Sequence, residues 1–329
     1  MATAMSGSAA ASGVTPAAGP EIEVVGLSKT YPGGVEAVRG IDFQVGAGEV
    51  FGLLGPNGAG KSTTIGMLTT TITPTGGTAR LAGADVAAEP LAARAVSAVV
   101  FQDPVIDRQL TGRRNLAIHA RLWGVDPVSA KARIGEVADA FGLGEFIDRP
   151  AGSYSGGQRR RLEIARALIS APRVLFLDEP SIGLDPRIRH EVLDLIAGLR
   201  ARTEMTVLVT THYLDEAQRL CDRVAVMHQG RIAALGTPTA LLASLGAELV
   251  ELRVDGDTSP VLAALRARGI ASGDAFSVGA TITIPLRAIS AADVISQISA
   301  LGLPAHGVSA RPPTLDDVFL RLTGDRLAA

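Results

Sequence analysis

A glycine-rich loop at residues 55–62, with the sequence GPNGAGKS, contains the residue types best suited to holding phosphate groups. Its glycines allow backbone N–H groups to point at an anion, where side chains would collide. Lys61 supplies a cation for the β- and γ-phosphates, and Ser62 supplies a hydroxyl for Mg²⁺. The residues predicted to bind nucleotide here are Gly55, Pro56, Asn57, Gly58, Ala59, Gly60, Lys61, Ser62 and Thr63.

The flanks of this loop decide its meaning, because the pattern G-x-x-x-x-G-K-[ST] binds phosphate only between a strand and a helix. Apolar residues 50–54 predict a buried strand before the loop, and residues 63–70 predict the start of a helix after it. The N-terminus of that helix adds attraction for an anion. The alternative, a glycine-rich turn without a ligand, agrees less well with both flanks. The loop therefore predicts binding of a nucleoside triphosphate.

A pair of carboxylates follows a second apolar run. Residues 174–177 predict a buried strand, and Asp178 and Glu179 come directly after it. Beside a phosphate-binding loop, Asp178 is placed to hold Mg²⁺ through water. Glu179 would then act as general base on the water that attacks the γ-phosphate. The alternative is that the two carboxylates only cap the strand end.

A third motif, SGGQ, lies at the start of a predicted helix. It consists of Ser155, Gly156, Gly157 and Gln158, and the helical sequence continues over residues 159–168. A Ser-Gly-Gly helix start can receive an anion, although alone it is usually only a cap. Because the chain already has a phosphate-binding loop, the simplest explanation is a composite site. In that site, this helix start covers the γ-phosphate bound by another copy of the chain.

Together these motifs resemble the ATP-binding subunit of ATP-binding cassette (ABC) transporters, over residues 21 to about 243. The resemblance implies an α/β fold of the P-loop NTPase class, an ABC-type nucleotide-binding domain with a mixed sheet and a helical subdomain. It also implies ATP and Mg²⁺ as cofactors, and a nucleotide-sandwich dimer in which residues 155–158 face the partner's nucleotide. Tyr154 is a departure, since leucine is more common there, but it leaves the SGGQ contacts intact.

The resemblance also implies roles for residues outside these motifs. Tyr31 would stack on adenine, and Gln102 would meet Mg²⁺ and the attacking water and couple the site to a membrane partner. The loop SIGLD at residues 181–185, with Asp185, would cross the dimer interface, and His212 would contact the γ-phosphate. The predicted catalytic residues are Lys61, Gln102, Glu179 and His212. The predicted metal-binding residues are Ser62, Gln102 and Asp178.

The elements that position these residues predict an α/β domain over residues 21–244. Apolar runs at 174–177 and 207–209 predict central parallel strands covered on both faces, and the alternating residues 41–45 predict a half-buried strand. Residues 223–227 and 231–235 predict a hairpin. Helical patterns at 110–120 and 129–141 lie within residues 103–152. The resemblance implies that residues 103–152 form the helical subdomain that binds the coupling helix of a transporter.

Residues 245–329 predict a small accessory α/β domain. Strand patterns at 250–254, 276–284 and 305–308 alternate with helical patterns through residue 265 and at 291–301. Thr314 and Asp317 predict a capping box for a last helix. The apolar stripe of that helix, Leu315, Val318, Phe319 and Leu322, is expected to pack on its own domain, with contact to another subunit as the alternative.

Composition narrows the class of protein. The 329 residues include 47% hydrophobic and 19% charged residues, as in ordinary globular proteins, and the net charge of −2 argues against a nucleic-acid binder. No apolar run approaches the roughly 18 residues that cross a bilayer. Cys221, the one cysteine, fits a reducing cytosol and is interpreted as a small buried side chain. Residues 1–20 predict a disordered tail. The arginine run at residues 159–161 (Arg159, Arg160 and Arg161) predicts a solvated, partly charge-paired helix face rather than an anion-binding site.

These observations favour an ATPase subunit that drives an integral membrane permease on a separate polypeptide, at the cytoplasmic face of a bacterial membrane. Residues 312–324, PPTLDDVFLRLTG, resemble the C-terminal end of daunorubicin/doxorubicin-resistance exporters, which predicts export of a drug, antibiotic or other hydrophobic compound. One alternative is a soluble ABC ATPase acting on nucleic acid or ribosomes, which the single cassette and acidic charge balance disfavour. An importer subunit is another. A small-molecule kinase would leave residues 155–158 unexplained.

Overall fold

The computed structural model describes residues 19–200, 204–287, 289–301 and 305–324. The tail predicted at residues 1–20 therefore lies outside the described residues, apart from Gly19 and Pro20. The strands are β1 (Ile22–Tyr31), β2 (Val35–Val45), β3 (Val50–Leu54), β4 (Gly76–Leu81), β5 (Ala84–Asp85), β6 (Ser97–Val100), β7 (Val174–Asp178), β8 (Thr206–Thr211), β9 (Arg223–His228), β10 (Arg231–Gly236), β11 (Glu248–Val254), β12 (Phe276–Val278), β13 (Thr281–Leu286) and β14 (Ala305–Arg311). The helices are α1 (Lys61–Leu68), α2 (Pro90–Ala95), α3 (Gly112–Leu122), α4 (Pro127–Ala140), α5 (Gly156–Leu168), α6 (Pro186–Arg200), α7 (Leu214–Leu220), α8 (Pro238–Ala243), α9 (Thr258–Ala267), α10 (Ala291–Ala300) and α11 (Leu315–Thr323).

A six-stranded sheet in the order β10-β9-β3-β8-β7-β6 forms the centre of residues 21–244. Because nucleotide binding is predicted there, these residues are called the nucleotide-binding part. Its strands are parallel from β9 to β6, and β10 joins β9 as an antiparallel hairpin. The hairpin turn contains Gln229 and Gly230 with φ of 47° and 78°, the left-handed conformation that tight hairpins favour. The mixed sheet and the hairpin confirm the sequence predictions.

The register of the parallel strands brings three strand ends to one edge. Leu54 of β3 pairs with Thr211 of β8, and Asp178 of β7 pairs with Thr210 of β8. The residues that follow these strands are therefore neighbours, although they are far apart in sequence. This edge gathers the glycine-rich loop, the carboxylate pair and His212.

Each central strand is buried on both faces, as its continuous apolar sequence predicts. In β7, Leu175 and Leu177 pack with the helices on one side, whereas Val174 and Phe176 pack toward the smaller sheet on the other. That smaller sheet is antiparallel, with the order β2-β1-β4-β5. Phe43 of β2 stacks on Phe51 of β3 with ring centroids 5.1 Å apart, which joins the two sheets.

Cys221 is buried, as predicted, and packs closely against β3. A Cβ added to Gly52 would lie 2.8 Å from the Cys221 Sγ atom, so glycine is required at that contact. Burial raises the pKa of the thiol, which therefore stays protonated.

The C-terminal sheet has the order β12-β13-β11-β14 and its own apolar core with α9 and α10. The single strand predicted near residues 276–284 is wrong: these residues form the hairpin β12–β13, which reverses at Gly279 with φ of 60°. Gly279 can adopt this left-handed conformation without strain, so the alternating pattern on both sides of it belongs to two strands.

The last helix, α11, leaves the C-terminal sheet and packs on the nucleotide-binding part. Thr314 and Asp317 form the predicted capping box. Leu315, Val318 and Phe319 join the core that contains α5 and α7, so the prediction that this stripe packs on its own C-terminal domain is wrong. The prediction is also wrong for Leu322, which is 44% exposed. Among the described residues, no helix has the length and apolar character needed to cross a membrane.

Candidate nucleotide site

The glycines of the phosphate-binding loop are required by contacts within the chain. Gly60, at the N-cap of α1, has φ of 107°, and a Cβ there would lie 2.5 Å from the carbonyl oxygen of Ala37. A Cβ at Gly55 would lie 2.3 Å from the carbonyl oxygen of Met227. At Gly58, with φ of 79°, nothing lies within 4 Å of the added Cβ, so only its backbone conformation demands glycine. The loop is thus clamped between β2 and the end of β9.

The ammonium group of Lys61 is buried within this loop. Its Nζ donates to the carbonyl oxygens of Gly55 at 2.8 Å and Pro56 at 3.1 Å. It also lies 3.2 Å from Oε1 of Glu179, and the Lys61 side chain is only 4% exposed. A buried cation requires such partners, because an unpaired one would be strongly destabilising. These contacts place the cation between the loop and the end of β7.

Ser62, Asp178 and Thr210 form a second group of hydrogen bonds at this edge. The hydroxyl groups of Ser62 and Thr210 donate to Oδ1 of Asp178 at 3.3 Å and 2.6 Å. The Ser62 hydroxyl and the Asp178 carboxylate are hard oxygen ligands of the kind that Mg²⁺ prefers. The described residues contain no group of three or more His, Cys, Asp or Glu able to cage a metal. One hydroxyl and one carboxylate fit a Mg²⁺ ion, because Mg²⁺ usually keeps several waters and binds one or two protein oxygens together with substrate phosphates.

Glu179 has the left-handed φ of 43°, which is strained for a residue with a Cβ. Its backbone N–H donates to the Thr210 hydroxyl oxygen at 2.9 Å. Its carboxylate lies between two nitrogen atoms, with Lys61 Nζ 3.2 Å from Oε1 and His212 Nδ1 3.3 Å from Oε2. These contacts hold the strained residue in place and direct its carboxylate into the site.

One cleft of about 490 Å³ is lined by nine of the nineteen predicted site residues. Tyr31, Gln102 and Glu179 line it with the loop residues, and the Tyr31 hydroxyl lies 3.5 Å from the Thr63 hydroxyl oxygen. Sequence reasoning missed three lining residues at the start of β2: Val35, Glu36 and Ala37. Ile182, which also lines the cleft, belongs to the loop that was predicted to cross the dimer interface. Sequence reasoning also missed Thr210, which lies beside Thr211 at the end of β8.

The SGGQ segment begins α5 and is not among the residues that line this cleft. Ser155 and Gln158 form a reciprocal capping box: the Gln158 N–H donates to the Ser155 Oγ atom at 3.2 Å, and the Ser155 N–H donates to Gln158 Oε1 at 3.0 Å. A Cβ on Gly157 would lie 2.4 Å from Cγ2 of Ile188, so this glycine is required for packing on α6. A Cβ on Gly156 would meet only Leu184, at an ordinary 3.6 Å.

Tyr154, the departure from the family pattern, anchors the start of α5. Its hydroxyl donates to the Phe146 carbonyl oxygen at 2.7 Å, and the two rings meet edge to face at 4.8 Å. A Cβ on Gly112 would lie 2.5 Å from the Tyr154 hydroxyl oxygen, so α3 is packed directly on the tyrosine. Tyr154 therefore packs against both Phe146 and α3.

The loop at residues 181–185 is held by a buried glutamate that sequence reasoning missed. The hydroxyl groups of Ser181 and Thr211 donate to the two carboxylate oxygens of Glu216, at 2.5 Å and 2.9 Å. Burial raises the pKa of Glu216, although these hydrogen bonds partly oppose the shift. Asp185 accepts from the Ile188 N–H at 3.0 Å, so its side chain caps α6. No sequence motif singles out Glu216, because its role depends on the packing of α7.

The prediction of a solvated face at residues 159–161 is wrong for Arg160. That side chain is buried, since the loop after β6 and the end of β7 enclose this part of α5. The predicted charge pairing does occur at Arg161, which binds Glu191 of α6 at 2.5 Å. Arg159 donates to the Tyr154 carbonyl oxygen at 2.6 Å.

A phosphate-binding loop between a parallel strand and a helix, facing carboxylates at a neighbouring strand end, defines the nucleotide site of a P-loop NTPase. Residues 38–182 match the ABC transporter family. The chain is 44% identical over 309 residues to the daunorubicin/doxorubicin resistance ATP-binding protein of Streptomyces peucetius, which covers 92% of each chain. It is 40% identical over 310 residues to the Nod factor export ATP-binding protein I of Ralstonia nicotianae, which covers 93% of this chain and 94% of the relative.

Solved structures agree with this relationship. The cbiO1 protein of Clostridium perfringens, part of an ABC transporter complex, has a TM-score of 0.64 and 26% identity, with 76% of this chain and 96% of that one covered. An ATP-binding cassette solved as a dimer with ADP and phosphate has a TM-score of 0.60 and 24% identity, with 66% and 98% covered, and therefore supports the fold alone. The chain belongs to the ABC transporter family, and it is an ATPase of that family.

Proposed function

We propose that this chain is the ATP-hydrolysing subunit of an exporter whose membrane-spanning permease is a separate polypeptide. The single observation that carries the proposal is the 44% identity with a daunorubicin/doxorubicin resistance ATP-binding protein over 92% of both chains. A Nod factor export protein is 40% identical, so the exported compound can differ between relatives. We therefore propose a drug, an antibiotic or another hydrophobic compound as the substrate class.

In the proposed mechanism, this chain positions ATP and one water molecule. Lys61 and the backbone of the loop would hold the phosphates, and Tyr31, which lines the cleft, would stack on the adenine ring. Ser62, Asp178 and Gln102 would hold Mg²⁺, which screens the phosphate charge when bound. The Lys61–Glu179 contact of 3.2 Å supports these roles, because it places the carboxylate beside the phosphate-binding cation.

Glu179 and His212 form the proposed hydrolytic pair. Glu179 orients the attacking water and accepts its proton, while His212 contacts the γ-phosphate. The 3.3 Å distance between His212 Nδ1 and Glu179 Oε2 supports this pairing, since it brings the two side chains together. Catalysis is then mainly positioning and electrostatic stabilisation.

We propose that two copies of the chain enclose two ATP molecules. Ser155, Gly156, Gly157 and Gln158 of one copy, with Asp185, would face the nucleotide bound by the other copy. Two observations support this arrangement. The SGGQ residues do not line the cleft of their own chain, and Gly156 lacks an internal packing reason to be glycine.

The permease is proposed to dock on the helical region formed by α3 and α4, which places the chain at the cytoplasmic face of the membrane. Large apolar side chains are exposed there: Leu122 is 79% exposed and Val128 is 82% exposed, with Ile118 and Trp123 also exposed. Exposed apolar side chains grouped on neighbouring helices are the kind of surface that protein contacts use. Arg114 and Arg121 line a groove beside it.

The proposal is tested by expressing the chain with the membrane protein encoded by a neighbouring reading frame in drug-sensitive bacteria. We expect lower accumulation of fluorescent daunorubicin only when both proteins are present. A Glu179→Gln variant should restore accumulation, and tagged wild-type chain should recover the membrane protein from detergent extracts. Unchanged accumulation, together with sedimentation of the chain with ribosomes, would contradict the proposal and favour the soluble alternative.

A further inference from the structure

The buried guanidinium of Arg160 connects three parts of the site. Its Nε donates to the Pro180 carbonyl oxygen at 2.7 Å, and its Nη2 donates to the Asp178 carbonyl oxygen at 3.2 Å. Its Nη1 donates to the Phe101 carbonyl oxygen at 2.8 Å and to Oε2 of Glu163 at 2.9 Å. The side chain is 6% exposed, so these bonds form away from competing water.

The carbonyl acceptors all belong to backbone next to predicted catalytic residues. Asp178 and Pro180 flank Glu179, so Arg160 binds the backbone carbonyl groups of the residues on both sides of Glu179. Phe101 directly precedes Gln102. One side chain therefore fixes the strained turn at Glu179, with its φ of 43°, and the start of the loop that carries Gln102.

The charge of Arg160 is matched within the same helix. Glu163 lies one turn further along α5 and is 3% exposed. The ion pair makes a buried guanidinium tolerable, and loss of one partner would leave an uncompensated charge. A lysine could not reproduce this set of bonds, because an ammonium lacks the planar fork of a guanidinium.

We propose that Arg160 is a positioning residue for ATP hydrolysis. It fixes the positions of Glu179 and Gln102 relative to the SGGQ end of α5. Arg160 lies one turn after Gly156, so a shift of the helix start is transmitted directly to the turn that carries Glu179. The inference rests on the roles proposed above for Glu179 and Gln102. It needs neither a permease nor a transported compound.

The test uses Arg160→Gln in the full-length chain, with MgATP hydrolysis measured in solution. We expect kcat to fall on the order of 10- to 100-fold, because small displacements of catalytic groups have effects of this size. KM for ATP and the affinity for a fluorescent ATP analogue should change less than about threefold, since Arg160 makes no hydrogen bond with the described residues of the phosphate-binding loop and the bonds of Lys61 to Gly55 and Pro56 are untouched. Arg160→Lys should give an intermediate kcat.

Arg161→Gln is the matched control, because it makes the same change one residue along the helix. Its ion pair with Glu191 lies away from the turn at Glu179, and we expect kcat within about twofold of the wild-type value. A double-mutant cycle of Arg160→Gln with Gln102→Ala should be non-additive, since both changes act on the same loop. A general loss of stability would not produce this coupling.

Wild-type kcat in Arg160→Gln, while Glu179→Gln is inactive, would overturn this inference and leave the proposed site roles intact. Equal losses of kcat in Arg160→Gln and Arg161→Gln would also overturn it, since the effect would then be structural. If Arg160→Gln does not fold, Arg160→Lys decides, and wild-type kcat in that variant is the contradicting result. Normal hydrolysis by Glu179→Gln would instead refute the site roles themselves.

Discussion

Nζ of Lys61 and Oε1 of Glu179 lie 3.2 Å apart in a buried ion pair that joins the phosphate-binding loop to the end of β7. The loop and the strand end meet only through the fold, because the two residues are separated by more than a third of the chain. Glu179 therefore has a structural partner as well as a proposed catalytic role. A substitution there must keep the shape of the carboxylate if the two roles are to be separated.

Glu179→Gln keeps this shape and one oxygen acceptor for Lys61. We expect ATP affinity within about threefold of wild type, and turnover reduced on the order of 100-fold or more, because a general base contributes that much. The variant should also elute as a dimer with MgATP in gel filtration. Glu191→Gln, in an ion pair on the surface of α6, is the control and should hydrolyse ATP normally. Normal turnover by Glu179→Gln would contradict its assigned role.

The two central glycines of the SGGQ segment should respond differently to alanine. Gly157→Ala forces a Cβ against Ile188, and we expect a loss of about 1–3 kcal/mol in the free energy of unfolding. Gly156→Ala fits the folded chain, so its thermal midpoint should stay near wild type while ATP-dependent dimer formation and hydrolysis fall. Calorimetry and gel filtration with MgATP measure the two effects. A Gly156→Ala protein with full activity would argue against a composite site.

Phe319 fastens α11 to the nucleotide-binding part. It is 1% exposed, and its ring meets His228 edge to face at 5.9 Å. Phe319→Ala should lower the free energy of unfolding by about 3–5 kcal/mol, because it opens a cavity in a shared core. Leu322→Ala, on the exposed side of the same helix, should change it by less than about 0.5 kcal/mol. Urea unfolding followed by circular dichroism distinguishes them, and similar losses in both variants would refute this packing.

The capping residue Asp317 predicts a pH dependence of stability. Burial alone would raise the pKa of this carboxyl, but hydrogen bonds from Arg311 and Thr314 outweigh burial and hold the pKa below its usual range. A pKa lowered by folding stabilises the protein above the unfolded pKa of about 3.9, and this contribution disappears as the pH falls through the folded pKa. The thermal midpoints of wild type and Asp317→Asn should therefore differ at pH 7 and converge below about pH 4.

A second variant checks the cause of this pH dependence. Arg311→Gln removes a guanidinium that lies 2.6 Å from Oδ1 of Asp317, which leaves burial as the larger influence on the carboxyl. The pKa of Asp317 should then rise, so that it lies less far below its unfolded value, and the loss of stability on acidification should be smaller than in wild type. A constant difference between wild type and Asp317→Asn from pH 7 to pH 3 would contradict the argument.

Much of the nucleotide site could be predicted from sequence because its residues belong to short local motifs. The loop at residues 55–62 and the carboxylates after β7 each follow an apolar run of strand length, and parallel pairing then brings their strand ends together. The roles assigned to these residues remain predictions. Their convergence on one sheet edge is observed.

The features that escaped prediction depend on tertiary enclosure. Arg160 has the same residue type as its two neighbours, and only the loop laid over α5 makes it a buried hydrogen-bond donor while Arg161 stays near the surface. The role of Glu216 similarly depends on where the fold places its two partners. Ser181 is distant in sequence, and Thr211 belongs to another element, β8. Charge and hydropathy patterns carry no information on such contacts between elements.

The course of the chain around the C-terminal sheet has a mechanical consequence. Strands β11–β14 lie between α8 and α11, which pack against each other, and α11 also contacts α7. The sheet is therefore attached to the nucleotide-binding part at both ends, through α8 before it and α11 after it. It cannot swing on a single linker, so any force applied to it is transmitted to α7, the helix that begins two residues after His212.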